Sequence, residues 1–335
     1  MIRIKDTKKV QLNSSDRSAV ALGKFDGIHE GHMLLVNKVL ELQKEGYTGI
    51  LFTFDMKENH VFDISNMKSI YTSDEKAMVA ADTGIDVMVE YPFDDAFAST
   101  EPQAFIRDIL VDMLHASYIV VGSDFRFGRD AAGDVHLLRK YSKDYGYKVI
   151  EIPKLSREAL CNTEAASNVH VPDKELGIIS STEIRRCISE GQVDDVITLL
   201  GRPYSMLGKV VHGRQLGRTI GIPTANMLPD AHKLYPPAGV YASRIRILSG
   251  DVAAHEDPFR VYRGITNIGD NPTVNDTGCI TIETNLFDFG KDIYGADIRV
   301  ELISRIRGEK KFESVEELTL QMKKDIEEAK AILSK

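Results

Sequence analysis

A chain of 335 residues, 43% apolar and 27% charged with 25 Gly and 11 Pro, has ordinary globular usage and the length of two domains at ~100–200 residues each, which excludes a disordered, fibrous or disulfide-stapled protein. With 42 basic against 50 acidic residues the net charge is −8, so no global positive field gathers phosphates and no nucleic-acid partner is expected. The three cysteines, Cys161, Cys187 and Cys279, stand far apart, and neither a signal-peptide core nor an apolar run of ~18 residues occurs, so a reducing, cytoplasmic location without a membrane partner is expected.

Ser18–Gly23 (SAVALG) reads as a buried strand, followed by a glycine-rich turn and a helix over Gly31–Glu45, where Leu35, Val39 and Leu42 recur at helical spacing. Further strands are predicted at Gly49–Phe54, Asp86–Glu90, Tyr118–Gly122 and Tyr147–Ile152. Helical stretches separate them, such as Gln103–His115 with Phe105, Ile109 and Met113 on one face. About five strands alternating with helices predict a parallel sheet with crossover helices, an α/β fold. The polar, aperiodic stretch Ser156–Leu176 predicts a mobile loop, and a helix pair follows at Thr182–Glu190 and Val193–Leu200.

At Gly201–Tyr204 the pattern changes. Short strands are predicted at Ser205–His212, Val240–Leu248, Phe259–Ile268, Cys279–Phe287 and Asp297–Ile303, separated by Gly, Pro and Asn turns. A long last helix carries Val315, Leu318, Met322, Ile326 and Leu333 on one stripe. A small β-barrel capped by a helix fits this second part, and no repeat relates it to the first.

The first turn reads Gly23-Lys24-Phe25-Asp26-Gly27-Ile28-His29-Glu30-Gly31-His32 and opens directly into a helix. Its glycines let backbone amides approach a phosphate at a helix N-terminus, where the dipole favours negative charge. His29 and His32 can both donate to that charge as a pyrophosphate leaves. Two solvated histidines in a glycine turn are the plainer alternative. Downstream stands Ile179-Ser180-Ser181-Thr182-Glu183-Ile184-Arg185, in which Ser180 or Ser181 can cap a helix and Arg185, one turn in, is placed to neutralise triphosphate. Between these segments, Gly122-Ser123-Asp124-Phe125-Arg126-Phe127-Gly128 offers two rings to stack on a planar ligand and a carboxylate for a polar contact, with core aromatics as the alternative.

In the second part Gly217, Gly221 and Pro223 shape a loop in which the Thr224 hydroxyl and the Asn226 amide oxygen are hard donors suited to Mg²⁺ on ATP phosphates. A bland hairpin is the competing reading.

GxFDGxHxGH between strand and helix resembles the HxGH signature of the nucleotidyltransferase superfamily, and Ile179–Arg185 its partner motif. The string from Val121 to Asp134, near VGxDFRFGxxxxGD, is similar to prokaryotic FAD synthetases. GIPTAN resembles the G-x-PTAN motif of riboflavin kinases, and Gly239-Val240-Tyr241, Asn267-Ile268-Gly269, Asp288-Phe289 and Ile293-Tyr294-Gly295 follow in that family's order. The chain thus resembles the prokaryotic bifunctional riboflavin kinase/FAD synthetases.

The resemblance implies a Rossmann-like FMN adenylyltransferase domain over 1–200 and a β-barrel riboflavin kinase domain over 203–335. It implies ATP, riboflavin, FMN and FAD as small-molecule substrates and products, with Mg²⁺ as cofactor. Implied roles are His29, His32 and Glu283 in catalysis, with Glu283 as general base for the ribityl hydroxyl. Nucleotide contacts fall on Gly23, Phe25, Asp26, Gly27, Gly31, Ser180, Ser181, Thr182, Arg185, Gly217, Gly221 and Pro223. Flavin contacts fall on Asp124, Phe125, Phe127 and Arg307, and metal contacts on Thr224 and Asn226; for Arg307 a solvated charged turn stays equally open. The chain departs from the family at Asp55–His60, where a Pro-His-Pro segment is absent, in the length of Ser156–Gly177, and at Thr284-Asn285, where a His or Tyr is more usual. Two rival readings are a kinase with a degenerate first domain and a flavin-binding regulatory module.

Overall fold

The structure, a computed structural model, describes residues 1–5, 17–55, 68–161, 177–213, 221–255, 257, 259–271 and 279–335. The chain divides into two compact units, Met1–Ser181 and Thr182–Lys335.

The first unit holds strands β1 (Ile2–Lys5), β2 (Ser18–Leu22), β3 (Thr48–Asp55), β4 (Val87–Pro92), β5 (Ala116–Gly122) and β6 (Lys148–Ile152). All pair in parallel, in the order β1-β4-β3-β2-β5-β6. The apolar strands are buried on both faces, as a sheet covered by crossover helices requires. From β2 the chain winds to one side through β3 and β4, then returns to add β5 and β6 on the other. The order therefore reverses between β2 and β5, and in such sheets ligands bind in the crevice beyond the carboxyl ends of the strands that flank this reversal. The histidine turn follows β2 and the Asp124–Phe127 segment follows β5, so this crevice receives both.

All five predicted strands of this unit match to within two residues at each end. β1 is an addition: it alternates Ile with Arg3 and Lys5 over only four residues. The predicted helix Gln103–His115 instead runs as Pro102–Ala104 followed by a π-helix, Phe105–Val111. Bonds from the Asp112 N–H to Arg107 and from the Leu114 N–H to Ile109 span five residues. The wider turn puts the adjacent pairs Phe105–Ile106 and Ile109–Leu110 into the core together. Within Ser156–Leu176 a helix, Arg157–Cys161, is described, and 162–176 lie outside the described residues.

The second unit is a closed antiparallel barrel, β10-β11-β8-β7-β12-β9. It is built from β7 (Tyr204–Val211), β8 (Ala225–Met227), β9 (Gly239–Ile247), β10 (Tyr262–Asn271), β11 (Cys279–Leu286) and β12 (Asp297–Gly308). The helix Val193–Leu200 packs on β7 and β12. The last helix, Val315–Leu333, closes the barrel with Ala329 and Leu333 against Val240, Ala242, Ile265 and Phe287. Val315, predicted on its apolar stripe, stays exposed, because the packed face begins later in the helix.

Candidate active sites

The histidine turn is a strained segment. Phe25 (φ +47°), Gly27 (φ +89°) and Ile28 (φ +41°) all have left-handed backbone, which costs a side-chain-bearing residue about 1–3 kcal/mol. The fully buried side chains of Phe25 and Ile28 hold it in place. His29 then caps the helix Glu30–Lys44: its backbone is extended and its Nδ1 accepts from the His32 N–H at 3.3 Å. That bond leaves the ring proton of a neutral His29 on Nε2, where it can be donated. The His29 and His32 rings stack at 3.7 Å with 20° between their planes, and the Phe25 ring lies 5.1 Å from His32. Gly31 is explained by the same geometry, since a Cβ there would sit 3.2 Å from Cε1 and Nδ1 of His29. At Gly23 a Cβ would meet the Phe25 ring at 3.2 Å.

Asp26 ties the turn to two distant segments. Its carboxylate accepts from the Ile70 N–H at 3.0 Å, and its carbonyl from the Ser181 hydroxyl at 2.9 Å. Ser180 and Ser181 thus close the first unit beside the turn, and Ser181 opens the helix Ser181–Ser189. Thr182 is exposed and Arg185 half-buried on that helix, beyond the division at Ser181. Its neighbour Arg186 is held by Glu183 and Glu190.

After β5 the two phenylalanines separate in role. Phe127 is a core residue, 5.3 Å from the Phe105 ring and flat against Gly133, where a Cβ would meet it at 2.7 Å. Phe125 stacks on it at 5.7 Å and is half-buried, so it keeps an open surface. Asp124 is exposed and pairs with Lys154 at 2.9 Å. Asp134 caps the helix Val135–Tyr145 by accepting from the Leu137 N–H at 2.9 Å, which holds its carboxyl below the usual range. An aromatic wall that spacing does not reveal adjoins this segment: Phe97 meets Phe54, Phe93 and Phe105 at 5.6, 5.3 and 5.9 Å. These rings come from separate segments, so no periodicity links them.

In the second unit the GIPTAN segment contains a strand, β8, which the sequence reading takes for loop. Its register is the central fact: Asn226 stands directly opposite Glu283 of β11, and Glu283 opposite Asn267 of β10. Cross-strand partners share a face, so the general-base candidate and a metal-ligand candidate are fixed side by side by the backbone ladder. The alternate positions Ile282 and Thr284 are buried, and Thr284 joins Thr266 and Ser243 in a chain of hydroxyl bonds at 3.0 and 2.8 Å. Gly213 abuts the Asn226 amide for a reason of space alone: a Cβ would overlap its Cγ at 2.3 Å.

Asn285, absent from the sequence-based candidates, donates from Nδ2 to the Pro223 carbonyl at 2.7 Å. It thereby holds the turn that presents Thr224. A cavity of about 310 Å³ opens here, lined by Pro223, Thr224, Asn226, Phe289, Lys291 and Tyr294 among others. Tyr294 stacks on His212 at 3.7 Å. Gly221 is exposed with φ +74°, and Gly217 lies outside the described residues, as do 56–60 of the Asp55–His60 departure. Arg307 reaches the C-terminal helix: Nε and Nη2 donate to Asp325 at 2.7–3.1 Å and Nη1 to the Gly308 carbonyl at 3.0 Å. A flavin contact there would draw on a guanidinium already held on three nitrogens.

Thr224 and Asn226 fit Mg²⁺ by the chemistry of their oxygen donors. Among the described residues no group of three or more His, Cys, Asp or Glu side chains could hold a metal, and Mg²⁺ on a nucleotide typically takes few protein ligands, with phosphates and water supplying the rest.

A family model described as FAD synthetase matches residues 11–163, and one described as riboflavin kinase matches residues 200–333. The bifunctional riboflavin kinase/FMN adenylyltransferase of Listeria monocytogenes is 34% identical over 321 residues, covering 94% of this chain and 92% of its own. That of Escherichia coli K12 is 34% identical over 309 residues (91% and 90%), and that of Haemophilus influenzae 31% over 318 (94% and 94%). A crystal structure described as a macrolide-efflux protein from Streptococcus pneumoniae superposes with a TM-score of 0.77 at 31% identity, covering 97% of this chain and 96% of its own. Among the described residues no helix is long and apolar enough to cross a membrane.

Proposed function

We infer, from the premise that this chain belongs to the bifunctional riboflavin kinase/FMN adenylyltransferase family, how its two reactions are divided along the sequence. The chain is a transferase that phosphorylates riboflavin to FMN and adenylylates FMN to FAD, with ATP as co-substrate of both steps. Phosphorylation belongs to residues 203–335 and adenylylation to residues 1–200, which keeps Thr182 and Arg185 of the Ser-Ser-Thr-x-Ile-Arg motif with the adenylyltransferase.

In the kinase step the Glu283 carboxylate accepts the proton of the ribityl hydroxyl as its oxygen attacks the γ-phosphorus; the bond from that phosphorus to the β-bridging oxygen breaks and ADP leaves. Thr224 and Asn226 would hold Mg²⁺, which when bound neutralises charge on the triphosphate. The observation that carries this assignment is the pairing of Asn226 with Glu283 across β8 and β11.

In the second step an FMN phosphate oxygen attacks the α-phosphorus of ATP and pyrophosphate leaves. His29, His32 and the N–H groups of the helix they begin stabilise the charge that develops. Phe125 and Asp124 contact the flavin, while Gly23, Phe25, Asp26, Gly27 and Gly31 shape the nucleotide turn, and Ser180, Ser181, Thr182 and Arg185 serve the phosphates. Gly217, Gly221 and Pro223 shape the loop for the kinase's ATP, and Arg307 approaches the flavin. The site of action is the cytoplasm, with small molecules rather than nucleic acid or membrane as partners.

The test is a time course with riboflavin, ATP and Mg²⁺, with flavins separated by chromatography, beside a run fed FMN. FMN should rise and FAD follow. Glu283→Gln should slow FMN formation by about 10²–10⁴-fold and leave FAD formation from FMN intact. An FMN-fed run without FAD would favour a kinase with a degenerate first domain.

A further inference from the structure

Beneath the histidine turn lies a charged group that the mechanism so far does not use. Lys76, on the helix Ser73–Asp82, is 9% exposed. Its Nζ donates to the Lys24 carbonyl and to the Thr53 hydroxyl, both at 3.4 Å, and the Thr53 hydroxyl donates to that same carbonyl at 2.8 Å. Two donors, one from the helix and one from β3, therefore converge on the carbonyl that leads into Phe25, where the left-handed backbone begins.

Burying an ammonium is costly unless something compensates. Desolvation lowers the pKa of Lys76, against which Glu90 of β4, Asp26 of the turn and Asp55 of β3 favour the charge, while Arg3 of β1 opposes it. Glu90 is itself taken by Arg3 at 2.8 Å and by Ser73 at 2.9 Å, and Asp55 faces Lys5 at 3.8 Å. The helix does not need the charge for its own stability. Thr72 and Glu75 form a complete capping box at its start, and Val79 and Ala80 bury its apolar face. An apolar side chain of similar length would pack there without the desolvation cost.

We propose that Lys76 is a positioning residue for adenylyl transfer: its ammonium, together with the Thr53 hydroxyl, fixes the Lys24 carbonyl and so holds the strained Phe25–Ile28 turn that sets His29 and His32 at the helix N-terminus. The inference rests on the assignment of adenylyl transfer to this unit. Without the ammonium, Phe25 and Ile28 are free to relax toward ordinary backbone, and the histidines lose their preset geometry. Such a loss falls on the chemical step, because catalytic groups displaced by about 1 Å cost up to ~10²-fold in rate.

The experiment uses the full chain carrying Lys76→Met or Thr53→Val. It measures kcat and KM for FMN and ATP in FAD formation, with riboflavin phosphorylation and thermal unfolding as controls. Lys76→Met should lower kcat for FAD at least about tenfold, with KM values within about threefold and phosphorylation unchanged. Thr53→Val, which keeps the lysine and the shape, should lower kcat by a smaller factor with the same KM pattern; should Lys76→Met fail to fold, this variant decides alone. A Lys76→Met chain with kcat within about twofold of wild type, or losses carried by KM or matched in the phosphorylation control, would overturn the inference. Wild-type chain that makes no FAD from FMN would instead overturn the assignment beneath it.

Discussion

Gly31 shows how a single missing methyl makes room for the His29 ring. In a helix a glycine is about 1 kcal/mol worse than alanine, so Gly31→Ala should not lower the unfolding temperature. The added Cβ would, however, press on the His29 ring at 3.2 Å, disturbing both its cap bond and its stack on His32. FAD formation should fall about tenfold, with riboflavin phosphorylation unaltered; a variant equally active in both reactions would refute this account. Asn285 makes the complementary case in the second unit. Asn285→Ala removes the donor that holds the Pro223 carbonyl and should lower phosphorylation about tenfold while FAD formation from FMN persists. The histidines and their glycine are legible in the sequence because cap, spacer and second histidine lie within four residues. Asn285 is not, because its partner is 62 positions away and only the barrel brings them together.

Elements of ordinary length are legible in the sequence, and those that are not are hidden for physical reasons. The helix Val193–Leu200 and most strands follow from period and turn residues. β8 has three residues and sits inside a motif that reads as loop, yet it carries the register that matters most. β1 has only four residues, and its two charges hide it. The π-helix keeps an apolar pattern close to that of an α-helix, so spacing alone does not separate them. Asp134 caps the helix Val135–Tyr145, and the Leu137 N–H lowers its folded pKa. The cap's contribution is therefore fully present above the unfolded value near ~3.9 and is lost as pH falls through the lower folded value. In urea titrations the stability difference between wild type and Asp134→Ala should be constant from neutral pH down to that range and shrink below it.

At the scale of the whole molecule, two unlike architectures share one chain, and each reaction supplies an internal reference for variants in the other unit. The division into an α/β part and a β part was legible from the change of pattern near Gly201. The topological reversal between β2 and β5, which explains why two motifs a hundred residues apart serve one crevice, was not, since strand order leaves no local mark. The closed ladder of the second unit has a further consequence. A barrel leaves no strand without two neighbours, whereas among the described residues β1 pairs with β4 alone and β6 with β5 alone. Open margins of this kind template intermolecular pairing, and lysine on a margin strand discourages it; Lys5 and Lys148 stand on these two. Replacing both by valine should leave turnover at low concentration unchanged while light scattering on gentle heating begins several degrees earlier, with aggregation seeded by the sheet and not by the barrel.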